Sequence, residues 1–144
     1  MRIHVAHSPD SDDAFMFYGL AKGFVDTKGF EFVHVLSDIE TLNRAAFDGK
    51  YEVTAISIHA YAYLNDRYLL LPHGASMGSN YGPVVVARAD GPSTLDGVCV
   101  AVPGMLTTAY LALKLYRPDV ATFVLPFDQI QEAVQRSEAE AGLL

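Results

Sequence analysis

Short apolar runs alternate with segments of helical period along almost the whole chain. Runs rich in Val, Ile and Phe predict strands at Ile3–Ala6, Phe30–Leu36, Tyr51–Ile56, Tyr68–Leu71, Pro83–Arg88, Val98–Val102 and Thr122–Leu125. Between them the spacing predicts helices over Asp12–Lys22, Asp38–Phe47, Ser57–Leu64, Thr107–Tyr116 and Asp128–Ser137. In the first helix Phe15, Tyr18, Gly19 and Lys22 share a face, with Asp10 or Ser11 as the cap. The second starts from Ser37 or Asp38, carries Glu40 in its first turn and closes at Asp48-Gly49. Such alternation is the pattern of βαβ units and a mostly parallel sheet, an α/β fold. Gly74 to Gly82 is a glycine-rich loop, and Ala89-Asp90-Gly91-Pro92 is a turn-rich junction. That junction is the expected boundary between two lobes, residues 1–90 and 91–144. Ala141-Gly142-Leu143-Leu144 reads as the start of a buried strand with nothing polar behind it. The expectation is therefore the front part of a larger two-lobed protein, incomplete at its C-terminus.

Composition narrows the function classes. Hydrophobic residues make up 51% of the chain and charged residues 19%, so a buried core is expected rather than disorder. The net charge of -7 excludes the clustered basic surface that nucleic acid or an anionic membrane requires. It leaves room for a small anionic substrate, because a helix N-terminus can hold an anion within an acidic protein. The single cysteine, Cys99, lies in the apolar run Gly97 to Val102 and reads as a buried structural thiol. One cysteine permits no disulfide framework. The N-terminus enters a strand directly without a signal-peptide pattern, and no apolar run has the length of a membrane span. The expected location is the cytoplasm.

The chemistry-bearing segments fall after strands. Ser8-Pro9-Asp10-Ser11-Asp12-Asp13 joins the first strand to the first helix, where open α/β sheets bind ligands. Its carboxylates lack the glycine and distal glutamate of a calcium loop, so helix capping is the stronger reading beside a direct ligand role. Ser57-Ile58-His59 opens a helix after the third strand, where backbone N–H groups and the Ser57 hydroxyl suit a carboxylate or other oxyanion. His59 reads as a packed residue in preference to a catalyst. Gly74-Ala75-Ser76-Met77-Gly78 matches G-x-S-x-G, but no helix follows the serine and all five histidines precede it. A nucleophile elbow is rejected in favour of a substrate-covering loop, with Tyr81 to stack on a ligand. Pro103-Gly104-Met105-Leu106-Thr107-Thr108 links a strand to a helix and offers two threonines at its N-terminus, as a cap or an anion cradle. His4 and His7 point to opposite faces of their strand and cannot chelate together. No metal site, nucleotide fingerprint or cofactor is expected.

Together these segments resemble the 1,4-dihydroxy-6-naphthoate synthase family of the futalosine route to menaquinone. The matching residues are Ser8-Pro9 with Asp13 and Phe15, the run Asp38-Ile39-Glu40-Thr41-Leu42-Asn43-Arg44, and Ser57 with Ala60-Tyr61. Asp66-Arg67-Tyr68, Tyr81-Gly82-Pro83 with Val85 to Arg88, and Ala101-Val102-Pro103-Gly104 with Thr107-Thr108-Ala109-Tyr110 complete the set. They run in order through nearly the whole chain. Two positions depart from the family: Asp10 to Ala14 stands where Cys-Pro-Asn-Asp-Thr is common, and Ala55 where a lysine often sits. The resemblance implies a two-lobed type II periplasmic-binding-protein fold and a cofactor-free carbon–carbon lyase acting on cyclic dehypoxanthinylfutalosine. It implies substrate contacts from Ile56 and Ser57 at their strand end, from Thr107 and Thr108, and from Asn43; the loop positions of Ser8, Asp13 and Tyr81 add these three as expected contacts, and the strand-end positions of Ser57 and the threonines lead us to expect them to face a shared cleft. It places the catalytic histidine about two residues past Leu144, so the chain alone is expected to be inactive. A transporter's solute-binding protein and a chorismate dehydratase-like enzyme are the alternatives.

Overall fold

The strand β1, Arg2–His7, is flanked on both sides by parallel partners, β2 (Glu31–Leu36) and β3 (Val53–Thr54), giving the order β2-β1-β3. The helices α1 (Ser11–Ala21) and α2 (Ile39–Phe47) make the two connections of this first sheet, and α3 (Ile58–Tyr61) follows its last strand. The computed structural model describes residues 1–144 and divides them into two compact units, Met1–Met77 and Gly78–Leu144. In the first unit Val5, Ala6, Leu42, Ala46, Ala60 and Leu64 are buried. Of the two caps open for α2, the structure uses Asp38, whose side chain accepts the Thr41 N–H at 2.9 Å. Glu40 in the first turn pairs with Arg44 one turn on, at 2.8 Å. Gly49 takes the left-handed conformation that ends the helix, with φ +63°.

The face of α1 that carries Phe15, Tyr18, Gly19 and Lys22 is largely exposed, with Phe15 at 86% and Tyr18 at 54%. Asp13 is buried instead, with Met16, Phe17 and Leu20 half-buried on its side of the helix. The segment Ser-Asp-Asp-Ala-Phe-Met-Phe-Tyr-Gly-Leu-Ala is apolar over so much of its circumference that periodicity cannot select a face. Tyr68–Leu71 does not form a strand. No ladder pairs with it, and Leu69 is 87% exposed, although the Tyr68 hydroxyl donates to the Tyr51 carbonyl at 2.9 Å.

The second unit holds β4 (Val85–Ala87), β5 (Cys99–Val102), α4 (Thr108–Tyr116), β6 (Ala121–Val124), α5 (Phe127–Gln135) and β7 (Ala141–Leu143), in the sheet order β4-β7-β5-β6. Only β4 runs antiparallel, to β7. Val85–Ala87 is joined to Ala141–Leu143, and the turn at Gly91-Pro92 lies inside the second unit. Alternation along β5 builds two cores. Val100 and Val102 pack with Val98, Leu113, Val120, Ala141 and Leu143, while Ala101 faces Ile130, Ala133, Val134 and Ala139. Ala101 pairs with Gly142 across β5 and β7, and these two small residues let α5 lie close to the sheet. A Cβ on Gly142 would stand 2.4 Å from Ile130 Cγ2. Cys99 is a free, half-buried thiol at the first position of β5, less enclosed than its apolar run suggests. No helix is long and apolar enough to cross a membrane.

Candidate functional site

The loop after β1 is held by its own side chains. The Ser8 N–H donates to Asp13 Oδ2 at 2.6 Å, and the Ser8 hydroxyl donates to Asp10 Oδ2 at 2.6 Å. Asp10 also caps α1, accepting the Asp13 N–H at 3.0 Å. Burial raises the Asp10 carboxyl, but the Ser8 hydroxyl and the Asp13 N–H outweigh it and leave the group below the usual carboxylate range. Asp13 shifts the other way, because burial and the neighbouring Asp10 charge outweigh the Ser8 N–H. Both carboxylates thus organise the loop, which matches the capping reading of this acidic run.

Beneath that loop lies a histidine pair that no sequence motif marks. His7 is 5% exposed and stacks on Phe17 of α1, with centroids 4.3 Å apart. Its Nδ1 lies 3.0 Å from the Ser8 carbonyl and its Nε2 3.0 Å from His34 Nδ1. A carbonyl only accepts, so neutral His7 carries its proton on Nδ1 and accepts from His34 through Nε2. Burial first, then the adjacent His7, pull His34 below the ordinary imidazole range. The available signal was strand parity. Val5 pairs with His34, so His7, two residues on, shares its face of the parallel ladder. His4 turns elsewhere and meets Glu52 at 3.1 Å.

After β3, Ser57 is half-buried and precedes α3, a helix of only four residues. Asn43 of α2 is fully buried and meets Ser57 twice. Its Oδ1 accepts the Ser57 N–H at 2.9 Å and its Nδ2 donates to Ser57 Oγ at 3.0 Å. The Ser57 backbone N–H is therefore engaged within the chain rather than turned to a ligand, which corrects one part of the expected cradle. Ile56 is half-buried beside it, and the His59 ring lies 5.8 Å from that of Tyr63. In the glycine-rich loop Ser76 donates to Asp12 Oδ2 at 2.5 Å, so this hydroxyl fastens loop to helix.

In the second unit Thr107 caps α4. Its Oγ1 accepts the Tyr110 N–H at 3.2 Å and donates to the Gly104 carbonyl at 2.9 Å. Thr107 is 4% exposed, Thr108 at the first helical position is exposed, and Tyr81 is 75% exposed. The expected site residues thus divide between the units, with Ser8, Asp13, Asn43, Ile56 and Ser57 in the first and Tyr81, Thr107 and Thr108 in the second.

Two α/β units with polar residues at their strand ends define the class of periplasmic-binding-protein-like type II folds. The P235GK mutant of ArgBP from T. maritima is of this kind. It superposes with a TM-score of 0.62 at 20% identity, over 99% of this chain and 67% of that one. Within that class the chain belongs to the menaquinone biosynthesis family, whose family model matches residues 3–144. It is 42% identical to the 1,4-dihydroxy-6-naphthoate synthase of Thermus thermophilus, over 99% of this chain and 52% of the relative. The identity to the synthase of Streptomyces coelicolor is 34%, again over 99% and 52%. Protein AF1704 from Archaeoglobus fulgidus superposes with a TM-score of 0.94 at 57% identity, over 99% of this chain and 53% of that one. The chain thus spans about half the length of these relatives.

Proposed function

We propose that the chain supplies substrate-holding elements of a 1,4-dihydroxy-6-naphthoate synthase, a carbon–carbon lyase that cleaves cyclic dehypoxanthinylfutalosine without a cofactor. What carries this reading is the identity of 42% and 34% to two synthases in alignments that cover 99% of the chain. The geometry supports holding rather than proton transfer. Ser57 Oγ offers a hydrogen bond to a developing oxyanion, and such donors matter most where charge grows in the transition state. The proton-moving step is assigned to none of His7, His34 and His59. His7 and His34 are engaged with each other and with Ser8, and His59 packs near Tyr63. Isothermal titration of the chain with cyclic dehypoxanthinylfutalosine and with the dihydroxynaphthoate, beside a product assay, tests the proposal. Binding of both ligands without turnover is the expected result. Turnover by the chain would overturn the assignment of the proton step, and failure to bind either ligand would overturn the reading itself.

A further inference from the structure

Hydroxyl protons in these loops have definite destinations, and one differs from the rest. Ser8 Oγ–H is donated to Asp10, Thr107 Oγ1–H to the Gly104 carbonyl and Ser76 Oγ–H to Asp12. Ser57 is arranged oppositely. Its backbone N–H can only donate, so the Asn43 atom 2.9 Å away must be the amide oxygen. That orientation leaves Nδ2 facing Ser57 Oγ at 3.0 Å, and an amide nitrogen also only donates. Ser57 Oγ is therefore an acceptor toward Asn43, and its own proton points away from the pair. Hydrogen bonds in series polarise one another, so an Oγ that accepts from Asn43 is a better donor to the next group.

We propose that Asn43 is a positioning residue that sets Ser57 as a hydrogen-bond donor, so that this strand end selects oxygen acceptors, carboxylates or carbonyls, over ammonium groups. The idea rests on Ser57 meeting the ligand, as the proposed function has it, but not on the identity of that ligand. It assigns Asn43 an indirect role. The amide is 0% exposed and acts through the hydroxyl it holds. Replacing it with a carboxylate would keep the shape while reversing the arrangement, since both carboxylate oxygens accept and the Ser57 proton would turn inward.

The test uses the full chain and two matched probes, 2-naphthoate and 2-naphthylmethylammonium, titrated by calorimetry and by NMR. The wild type should bind the carboxylate at least about tenfold more tightly than the ammonium. Asn43→Asp should weaken naphthoate binding about tenfold or more, and Asn43→Leu by a similar factor. In a Ser57→Ala background both effects should shrink to about threefold or less, a non-additivity that neither added charge nor general destabilisation produces. Should the Asn43 variants fail to fold, the side-chain amide signals of Asn43 still report. Naphthoate should shift them in the wild type and leave them unmoved in Ser57→Ala. Equal affinity for the two probes, binding of neither, equal Asn43 effects in both backgrounds, or an Asn43 signal indifferent to Ser57 would each overturn the inference. A chain that prefers naphthoate but ignores cyclic dehypoxanthinylfutalosine would overturn the proposed substrate and leave this inference standing.

Discussion

Thr107 is where capping and ligand binding make opposite predictions. Its hydroxyl joins the Tyr110 N–H, at 3.2 Å, to the Gly104 carbonyl, at 2.9 Å. Thr107→Val keeps the branched shape and removes both bonds. Loss of an N-cap side chain costs about 1 kcal/mol, with a range of about 0.5–2. The Gly104 carbonyl is not stranded, because the Thr107 N–H still approaches it at 3.4 Å, so its share stays near the low end of about 1–3 kcal/mol. The total is about 1–2 kcal/mol, and each kcal/mol corresponds to about 4–8 °C in a unit of this size. Thermal unfolding followed by circular dichroism should show that drop, and the Tyr110 amide should exchange with solvent faster. Thr107→Ser restores both hydrogen bonds and should recover Tyr110 protection, with a loss of about 0.8 kcal/mol for the missing methyl. If Thr107→Val melts within a degree of the wild type, keeps Tyr110 protected and yet loses carboxylate binding, the hydroxyl serves a ligand rather than the helix and the reasoning is wrong.

Three further outcomes are expected. Gly142→Ala forces a methyl to 2.4 Å from Ile130 Cγ2 and should destabilise by about 1–3 kcal/mol in urea unfolding, a cost that Ile130→Ala in the same chain should partly relieve. Asp13→Ala should cost about 1–3 kcal/mol by leaving the Ser8 N–H without its acceptor, whereas Asp13→Asn, which can still accept it, should be close to neutral at pH 7 in the same assay. His34 has a depressed native pKa, so the unfolded chain takes up its proton first as pH falls; stability should be full above about 6.5 and decline progressively below it, and His34→Gln should flatten that part of the melting-temperature profile.

Element type was legible in the sequence wherever a segment had both a period and punctuation. α2 has its cap at Asp38, its early Glu40 and its terminal Gly49, and it lies within a residue of the expected span. Whether an apolar run became a strand depended on partners distant in sequence. Tyr68–Leu71 has strand composition but no ladder. Val85–Ala87 has the same composition and is a strand because Ala141–Leu143 lies beside it. α1 offered apolar residues in every direction, and the buried Asp13 carboxylate turned the helix toward the loop. At the site, strand-end positions were visible while their wiring was not. Nothing in the run Asp38 to Arg44 announces that Asn43 holds a serine on another element, and His34 becomes a partner of His7 only once β1 and β2 are in register.

That difference in wiring bears on how each strand end is formed and lost. Thr107 is held by Gly104 and Tyr110, three residues to either side, so its geometry arises with the first turn of α4 and is local in origin. Ser57 takes its orientation from Asn43, on the preceding helix, and therefore exists only when α2 is docked on the first sheet. Leu42 and Ala46 bury the same helix face beside Asn43, and Leu42 is fully buried. Opening α2 would expose those two apolar side chains and release the Ser57 hydroxyl to donate or accept indiscriminately. The donor character of Ser57 is thus coupled to packing of the first unit, while the Thr107 cap depends mainly on its own turn. Local opening costs less than global unfolding and proceeds in cooperative segments. A perturbation of the Leu42 contact should therefore reach Ser57 before it reaches any hydrogen bond of Thr107.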